Sequence, residues 1–120
     1  LIGVLSQRLV RQLCPSCKRP HPATSSDCEV LGVNPTAPPT IYIPTGCDQC
    51  NHSGYRGRSG IFELVLIDER MQTMIHEGRG ELDLDRYARQ SSASIRDDGR
   101  RRVLAGDTSL AELVRVTRED

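Results

Sequence analysis

Four of the five cysteines in this 120-residue chain form two C-x2-C pairs, and this spacing constrains the fold more than any other feature. The first pair is Cys14 and Cys17, the second is Cys47 and Cys50, and 29 residues lie between them. A turn with two residues between its cysteines presents both sulfurs to one tetrahedral ion. Two such turns complete a four-sulfur shell with no position open for catalysis. The spacing therefore predicts one structural zinc ion.

Three other uses of these cysteines stay open at this point. Disulfides need an oxidising compartment, and nothing in the sequence indicates secretion. A thioredoxin-type C-x2-C usually occurs once, after a strand, and not twice around a loop. An iron–sulfur cluster could also use four cysteines, although paired turns favour zinc. The separation between the pairs exceeds the roughly 15–20 residues of a standard zinc ribbon, so the pattern is looser than usual.

Three further metal-ligand types lie near the two pairs. Cys28 is left over by the pairing and is expected to be a free thiol in the intervening loop. His21 and His52 could each replace a sulfur ligand, but solvated loop histidines are the simpler interpretation. The predicted ligand set is therefore the four paired cysteines.

The apolar content of the chain is low. Leu, Ile, Val and Phe account for 28 of the 120 residues, and there is no Trp, one Phe and three Tyr. So few large apolar side chains form a thin core, which predicts that something besides hydrophobic burial stabilises the fold. Structural zinc contributes about 10–16 kcal/mol in small domains, which is enough for that role.

Charge and motif content exclude several functions. The chain carries 16 basic and 16 acidic residues, so it is not a globally basic nucleic-acid binder. No apolar run approaches the roughly 20 residues of a membrane span, so no direct membrane insertion is expected. Its one lysine, Lys18, follows Cys17 and not the glycine that a phosphate-binding P-loop requires. The sequence offers no catalytic residue, and this chain alone is not expected to be an enzyme.

The pattern of apolar residues predicts a small α+β domain that is mostly helical. Apolar residues at steps of three and four predict an amphipathic helix over residues 1–13, ended by Pro15. All seven prolines lie between positions 15 and 44, so residues 14–50 are expected to be a zinc-stapled loop with one short strand over 41–43. A glycine-rich turn and a largely buried strand over 61–66 are expected within residues 51–67.

The remaining residues, 68–120, are predicted to be helical. Asp68 caps a first helix that ends at Gly78 and buries Met71 and Met74. A second helix follows around Leu84, and a third ends at Gly106. Residues 109–112, Ser-Leu-Ala-Glu, match a capping box that opens a last helix. Because the chain begins without Met, inside a predicted helix, we expect a single domain excised from a longer protein.

Three blocks of sequence resemble one family. They are residues 6–18 (SQRLVRQLCPSCK), residues 46–64 (GCDQCNHSGYRGRSGIFEL), and the ending made of residues 95–99, 103–109 and 112–117. Together they resemble the C-terminal zinc-binding domain of type II secretion ATPases, the GspE/PulE family. The likeness is loose between residues 19 and 45, and it departs from the family pattern at Ser53, where Thr is usual, and at the extra Cys28.

The resemblance implies a cytoplasmic homohexameric ATPase at the inner membrane, where it contacts secretion platform proteins and drives pseudopilus assembly. It implies that Cys14, Cys17, Cys47 and Cys50 bind one zinc ion. ATP and magnesium would be bound by upstream motifs that this chain lacks. Type IV pilus assembly ATPases share the tetracysteine and G-Y-x-G-R pattern and form the alternative branch.

Two arginine pairs are candidate contacts to a neighbouring subunit or its nucleotide: Arg8 and Arg11, and Arg56 and Arg58. A glycine-rich loop that carries arginines can wrap an anion, but its glycines also suit an ordinary turn with solvated arginines.

Two functions from other classes also stay open. The first is a free-standing zinc-ribbon module that binds nucleic acid or protein; nucleic-acid binding would need basic and aromatic residues together on one face, and the few aromatics and zero net charge argue against it. The second is a C-x2-C redox enzyme, which would show reversible dithiol oxidation in place of metal.

Overall fold

The fold is α+β, as predicted, with two small antiparallel sheets and five helices in a computed structural model that describes residues 2–90 and 94–117. The strands are β1 (Ile2–Leu13), β2 (Arg19–Pro22), β3 (Thr40–Ile43) and β4 (Tyr55–Ile67). The helices are α1 (Ser25–Leu31), α2 (Glu69–His76), α3 (Glu81–Arg89), α4 (Ile95–Leu104) and α5 (Leu110–Thr117). Strand β1 pairs with β4, and β2 pairs with β3.

The helix predicted over residues 1–13 is wrong, because this segment is strand β1. It pairs in antiparallel register with β4, for example Leu5 opposite Leu64 and Val10 opposite Ser59. Residues 5, 9 and 13 recur at steps of four, and an even step fits one face of a strand as well as one face of a helix. The partner strand, about 50 residues away along the chain, decides between the two.

Strand β4 confirms the strand predicted over 61–66, but it is longer and less buried than expected. It begins at Tyr55, inside the region predicted to be a turn. Ile61 is fully buried, whereas Phe62, Leu64 and Leu66 are 41%, 50% and 55% exposed. The two long strands, of 12 and 13 residues, make the chain less helical than predicted.

The segment between the cysteine pairs contains regular structure as well as loop. The short strand predicted over 41–43 is confirmed as β3, and it pairs with the proline-containing β2. Helix α1 begins at a capping box between Thr24 and Asp27 and ends at Gly32, whose φ is 70°. Cys28 is a free thiol, as predicted, but it lies on α1 in the core and not in a loop. The core around it comprises Ala23, Leu31, Ile41, Val103 and Leu113.

The helices after β4 follow the predicted capping signals. Asp68 accepts a hydrogen bond from the Met71 amide at 2.9 Å and caps α2, and Met71 and Met74 are buried as expected. Helix α4 ends just before Gly106, whose φ is 82°. The predicted capping box at Ser109 is only half formed: the Ser109 hydroxyl accepts the Glu112 amide at 3.1 Å, but the Glu112 carboxylate binds Arg11 and Arg115.

Candidate metal centre

The four paired cysteines converge on one point in the segment that connects the two long strands. The Sγ atoms of Cys14 and Cys47 are 3.8 Å apart, those of Cys17 and Cys50 are 3.8 Å apart, and those of Cys47 and Cys50 are 3.7 Å apart. All four sulfurs lie within 4.8 Å of one another. A disulfide would hold two of them about 2.05 Å apart, so the cluster contains four separate thiols.

Two tight turns present these sulfurs. In the first, the Cys14 carbonyl accepts the amides of Cys17 and Lys18 at 3.3 and 3.0 Å. In the second, a short 3-10 helix (Asp48–Cys50) leads into Asn51 and His52, whose φ angles are 55° and 64°. The turn closes with a 2.8 Å bond from the His52 amide to the Cys47 carbonyl. Both turns are therefore held by backbone hydrogen bonds.

Gly54 is required at the exit of the second turn. Its φ is 84°, in the left-handed region, and a Cβ placed there would lie 2.4 Å from the Pro44 Cβ. Its amide donates to the Cys50 Sγ at 3.2 Å, and its carbonyl accepts the Cys14 amide at 2.9 Å. Gly54 thus connects both cysteine pairs through its backbone, and only glycine fits the position.

The environments of the thiols differ. Burial opposes ionisation of Cys50, yet the amides of Cys47 and Gly54 donate to its sulfur and lower its pKa to about 6. Burial raises the pKa of Cys47 to about 11. A hydrogen bond from the Thr45 side chain lowers the pKa of Cys17. The amides of Cys47 and Gly54 therefore favour the thiolate form of Cys50, which is the form that binds metal.

The histidines and Cys28 lie outside the sulfur cluster. His52 is exposed, as predicted, and its Nε2 is 3.1 Å from the Asp48 carboxylate. His21 is half-buried on β2 opposite Ile41, and not in a loop as predicted. Within residues 2–90 and 94–117, the one group of potential metal ligands that comes together is the four paired cysteines.

The donor set and its dimensions suit a tetrahedral ion of the size of zinc. A Zn–S bond of about 2.3 Å places neighbouring sulfurs of a regular tetrahedron about 3.8 Å apart. The three contacts of 3.7–3.8 Å match that edge. Cys14 and Cys50 are buried, and Cys17 and Cys47 are half-buried. The four cysteines are close enough to hold one metal ion.

Two of the four candidate arginines have side chains that bind other residues of the chain, and the other two have no side-chain partner among the described residues. Arg8 donates to the Val116 carbonyl, and Arg11 binds Glu112 and lies 4.2 Å above the centre of the Tyr55 ring. Arg56 and Arg58 are exposed and have no hydrogen-bond or ion-pair partner in the part of the chain that the structure describes. Arg11 and Arg58 lie opposite each other on β1 and β4.

Two hollows are lined by three of these arginines, Arg11, Arg56 and Arg58. An open cavity of about 540 Å³ is lined by Leu9, Arg11, Arg58 and Arg115. A second hollow of about 490 Å³ places Arg56 near Lys18, Gly57 and Asp107. Both lie at the end of the β1–β4 hairpin that carries the cysteines.

The sequence analysis missed the partner of Arg11. Glu112 is 1% exposed and accepts hydrogen bonds from the side chains of Arg115 and Arg11 and from the Arg11 amide. The bond from Arg115, with those from Arg11, lowers the pKa of Glu112 to about 2 although burial opposes ionisation. The capping-box motif marked this residue, but a motif of four residues cannot identify a partner 101 positions away.

None of the described helices combines the length and the hydrophobicity that a membrane crossing needs.

Comparison with known proteins gives consistent results. A family model described as "Type II/IV secretion system protein" matches residues 1–115. The whole chain is 53% identical to type II secretion system protein E of Pseudomonas aeruginosa and 51% identical to that of Aeromonas hydrophila. It is 48% identical over 119 residues to type II secretion system ATPase E of Vibrio cholerae. The chain spans 24% of the length of each of these relatives. With nearly its whole length matched by the family model, the chain belongs to the type II/IV secretion system protein family.

Proposed function

We propose that this chain is the zinc-binding C-terminal domain of the ATPase that powers type II protein secretion. The printed name of the Vibrio cholerae relative, type II secretion system ATPase E, supports the parent activity. The chain itself has no P-loop lysine, so ATP and magnesium would bind in the remaining three quarters of the parent. Its own contribution is structural.

The observation that carries this proposal is the geometry of the four sulfurs. Their 3.7–3.8 Å contacts correspond to the edge of a zinc–thiolate tetrahedron. Cys14, Cys17, Cys47 and Cys50 would fill all four positions of the ion. Zinc held in this way has no free position for water or substrate, so it would stabilise the domain and would not take part in ATP hydrolysis.

The zinc would close the β1–β4 hairpin at its long connection. Residues 14–54 separate the paired strands, and closing so long a loop has a larger entropic cost than closing a short turn. The free energy of binding an ion that bridges the two cysteine pairs offsets the entropic cost of closing the loop, because the pairs lie at its two ends. The thin core and the metal therefore stabilise the domain together.

The parent would act as a homohexamer at the cytoplasmic face of the bacterial inner membrane, in contact with the secretion platform. This follows from the resemblance to secretion ATPases. Arg56 and Arg58 are suited to contact a neighbouring subunit or its nucleotide because they are exposed and lack partners in the described ranges. Arg11 and Arg8 already have partners within the chain, so an intersubunit role would require them to exchange or share those partners.

The proposal is tested by metal content. The chain is purified under reducing conditions without added zinc, and bound metal is measured by native mass spectrometry and elemental analysis. We expect one zinc per chain in the natural sequence and none in the Cys14→Ser/Cys47→Ser variant. Cys28→Ser is the matched control, because Cys28 lies outside the cluster, and it should retain one zinc.

A different result would favour redox chemistry. A stable chain without zinc, with its four cysteines in disulfides, would contradict the metal site and support a dithiol function.

For the arginines, the test is made in the parent hexamer. If Arg58→Ala leaves hexamer assembly and ATP hydrolysis unchanged, Arg58 has no intersubunit role, and the same holds for Arg8, Arg11 and Arg56.

A further inference from the structure

A buried polar network lies beside the cysteine cluster, and the proposed function does not account for it. Thr108, Ser109 and Glu112 are 0%, 2% and 1% exposed, in a chain that has few buried residues of any kind. Buried polar groups destabilise a fold unless hydrogen bonds compensate them, so such a cluster in a thin core needs a reason. We call Thr108, Ser109, Glu112 and Tyr55 the polar network.

The network holds the last residues of β1 from one side. The Arg11 amide donates to the Glu112 carboxylate at 2.7 Å, and the Arg11 carbonyl accepts the Thr108 hydroxyl at 2.7 Å. The next bond along this edge runs from the Leu13 amide to the Asp107 carbonyl at 2.9 Å. These bonds satisfy backbone groups of Arg11 and Leu13 in the way that a neighbouring strand would. The residue after Leu13 is Cys14, the first of the four paired cysteines.

The same network holds the first residue of β4. The Tyr55 hydroxyl and the Ser109 hydroxyl are 2.6 Å apart, and the Ser109 hydroxyl also accepts the Glu112 amide. Tyr55 directly follows Gly54, whose amide donates to the Cys50 sulfur. One turn of chain at the start of α5 therefore fixes both strand ends from which the two cysteine pairs extend.

Strand pairing alone does not favour this arrangement. Arg11 and Arg58 lie opposite each other, and like charges across a strand pair are destabilising. The register also shifts between Arg11 and Leu13. The buried carboxylate of Glu112 offsets the repulsion because it receives the backbone and the guanidinium of Arg11 as well as Arg115.

We propose that Glu112, with Thr108, is a positioning residue for the metal centre: the polar network orders the two strand ends before metal binds and so raises the affinity of the four cysteines for zinc. Without the network, binding has to order the strand ends, and that entropic cost weakens the affinity. Residues that position metal ligands typically change metal affinity by about 10–100-fold when they are replaced. This inference rests on the zinc site proposed above.

The test is a zinc affinity series on the chain under reducing conditions, measured by competition with a chromogenic chelator. We expect Glu112→Gln to raise the dissociation constant for zinc about 10-fold. Thr108→Val should act in the same direction, because it removes the hydroxyl that holds the Arg11 carbonyl. Glu81→Gln is the matched control, since Glu81 is exposed on α3 and lies outside the network, and its affinity should equal that of the natural chain.

A second control separates positioning from general stability. Val103→Ala creates a cavity in the core and should lower the melting temperature without changing the dissociation constant for zinc, as long as the chain remains folded. Equal zinc affinity of Glu112→Gln and the natural chain would overturn the inference alone. So would an equal loss of affinity in Val103→Ala. A natural chain that binds no zinc would overturn the proposed function itself, and this inference with it.

Discussion

The two ends of the β1–β4 hairpin differ sharply although they belong to the same pair of strands. At the cysteine end (residues 8–13 and 55–61), Val10 and Ile61 on one face are 0% exposed and Leu13 is 5% exposed, whereas Leu9 on the other face is 50% exposed. At the open end (residues 2–7 and 62–67), Leu5, Leu64 and Leu66 are at least half exposed. Both ends belong to one antiparallel ladder, whose register shifts only between Arg11 and Leu13 in the described residues, so strand pairing does not by itself determine burial.

What differs is the set of neighbours. The cysteine end contacts α4, α5 and the two cysteine turns, and it carries the buried polar network. At the open end, α2 and α3 lie along the face that carries Val4, Val65 and Ile67, and Leu5, Leu64 and Leu66 share the opposite face. Strand residues therefore become core only where another layer covers them. The predictions below test whether stability is concentrated at the cysteine end.

The largest effect is expected from loss of metal. Chelation of a reduced sample, or the Cys14→Ser/Cys47→Ser variant, should disorder the two cysteine turns and lower the free energy of unfolding more than any other change, because the ion bridges the two ends of the loop of residues 14–54. Circular dichroism and amide hydrogen exchange measure this. If the amides of residues 14–18 and 47–54 keep their protection without metal, the cysteine turns do not depend on the ion.

The next largest effect compares two apolar residues of β4. Ile61→Ala should reduce the free energy of unfolding by about 2–5 kcal/mol, because it leaves a cavity at a fully buried position. Leu64→Ala, three residues along the same strand and half exposed, should cost less than about 1 kcal/mol. Urea denaturation of the zinc-loaded chains measures both. Similar losses at the two positions would contradict the contrast between the ends.

Gly54 tests the cysteine end through its backbone. Gly54→Ala should cost about 2–4 kcal/mol, since it adds a clash with Pro44 to the strain of a positive φ. Gly78→Ala is the matched control: its φ is 73°, but a Cβ there meets nothing within 4 Å. The difference between the two in thermal denaturation isolates the clash. If both substitutions cost the same, close packing at Gly54 is not important.

The smallest effect concerns pH. The ordinary pKa of a glutamate is 4.5, and that of Glu112 is lowered to about 2, so folding is favoured by ionised Glu112 above pH 4.5. This contribution is lost as the pH falls from about 4.5 to about 2. It should amount to about 1–3 kcal/mol, because the partners Arg11 and Arg115 are half exposed and screened.

Comparison of the natural chain with Glu112→Gln isolates this contribution when both are measured without zinc, because the two chains differ in zinc affinity. The difference in free energy of unfolding between the natural chain and the variant should shrink as the pH is lowered from 5 to 3. A difference that stays constant over this range would show that ionised Glu112 does not stabilise the fold.

Local signals predicted much of this structure. The spacing of Cys14, Cys17, Cys47 and Cys50 anticipated a cluster that the fold brings together. Asp68 as a cap and Gly106 after α4 were also predicted. The two C-x2-C turns and the helix caps are each made within a few residues, where sequence and conformation are directly linked.

The sequence by itself determined the two C-x2-C turns and the helix ends, because short-range backbone geometry is decided by the residues that adopt it. Tertiary structure alone decided that residues 2–13 form a strand, that Cys28 is buried on α1, and that Glu112 binds Arg11. These outcomes depend on partners tens of residues away. A step of four residues fits a helix and a strand equally well, and only the arrival of β4 stabilises one of them.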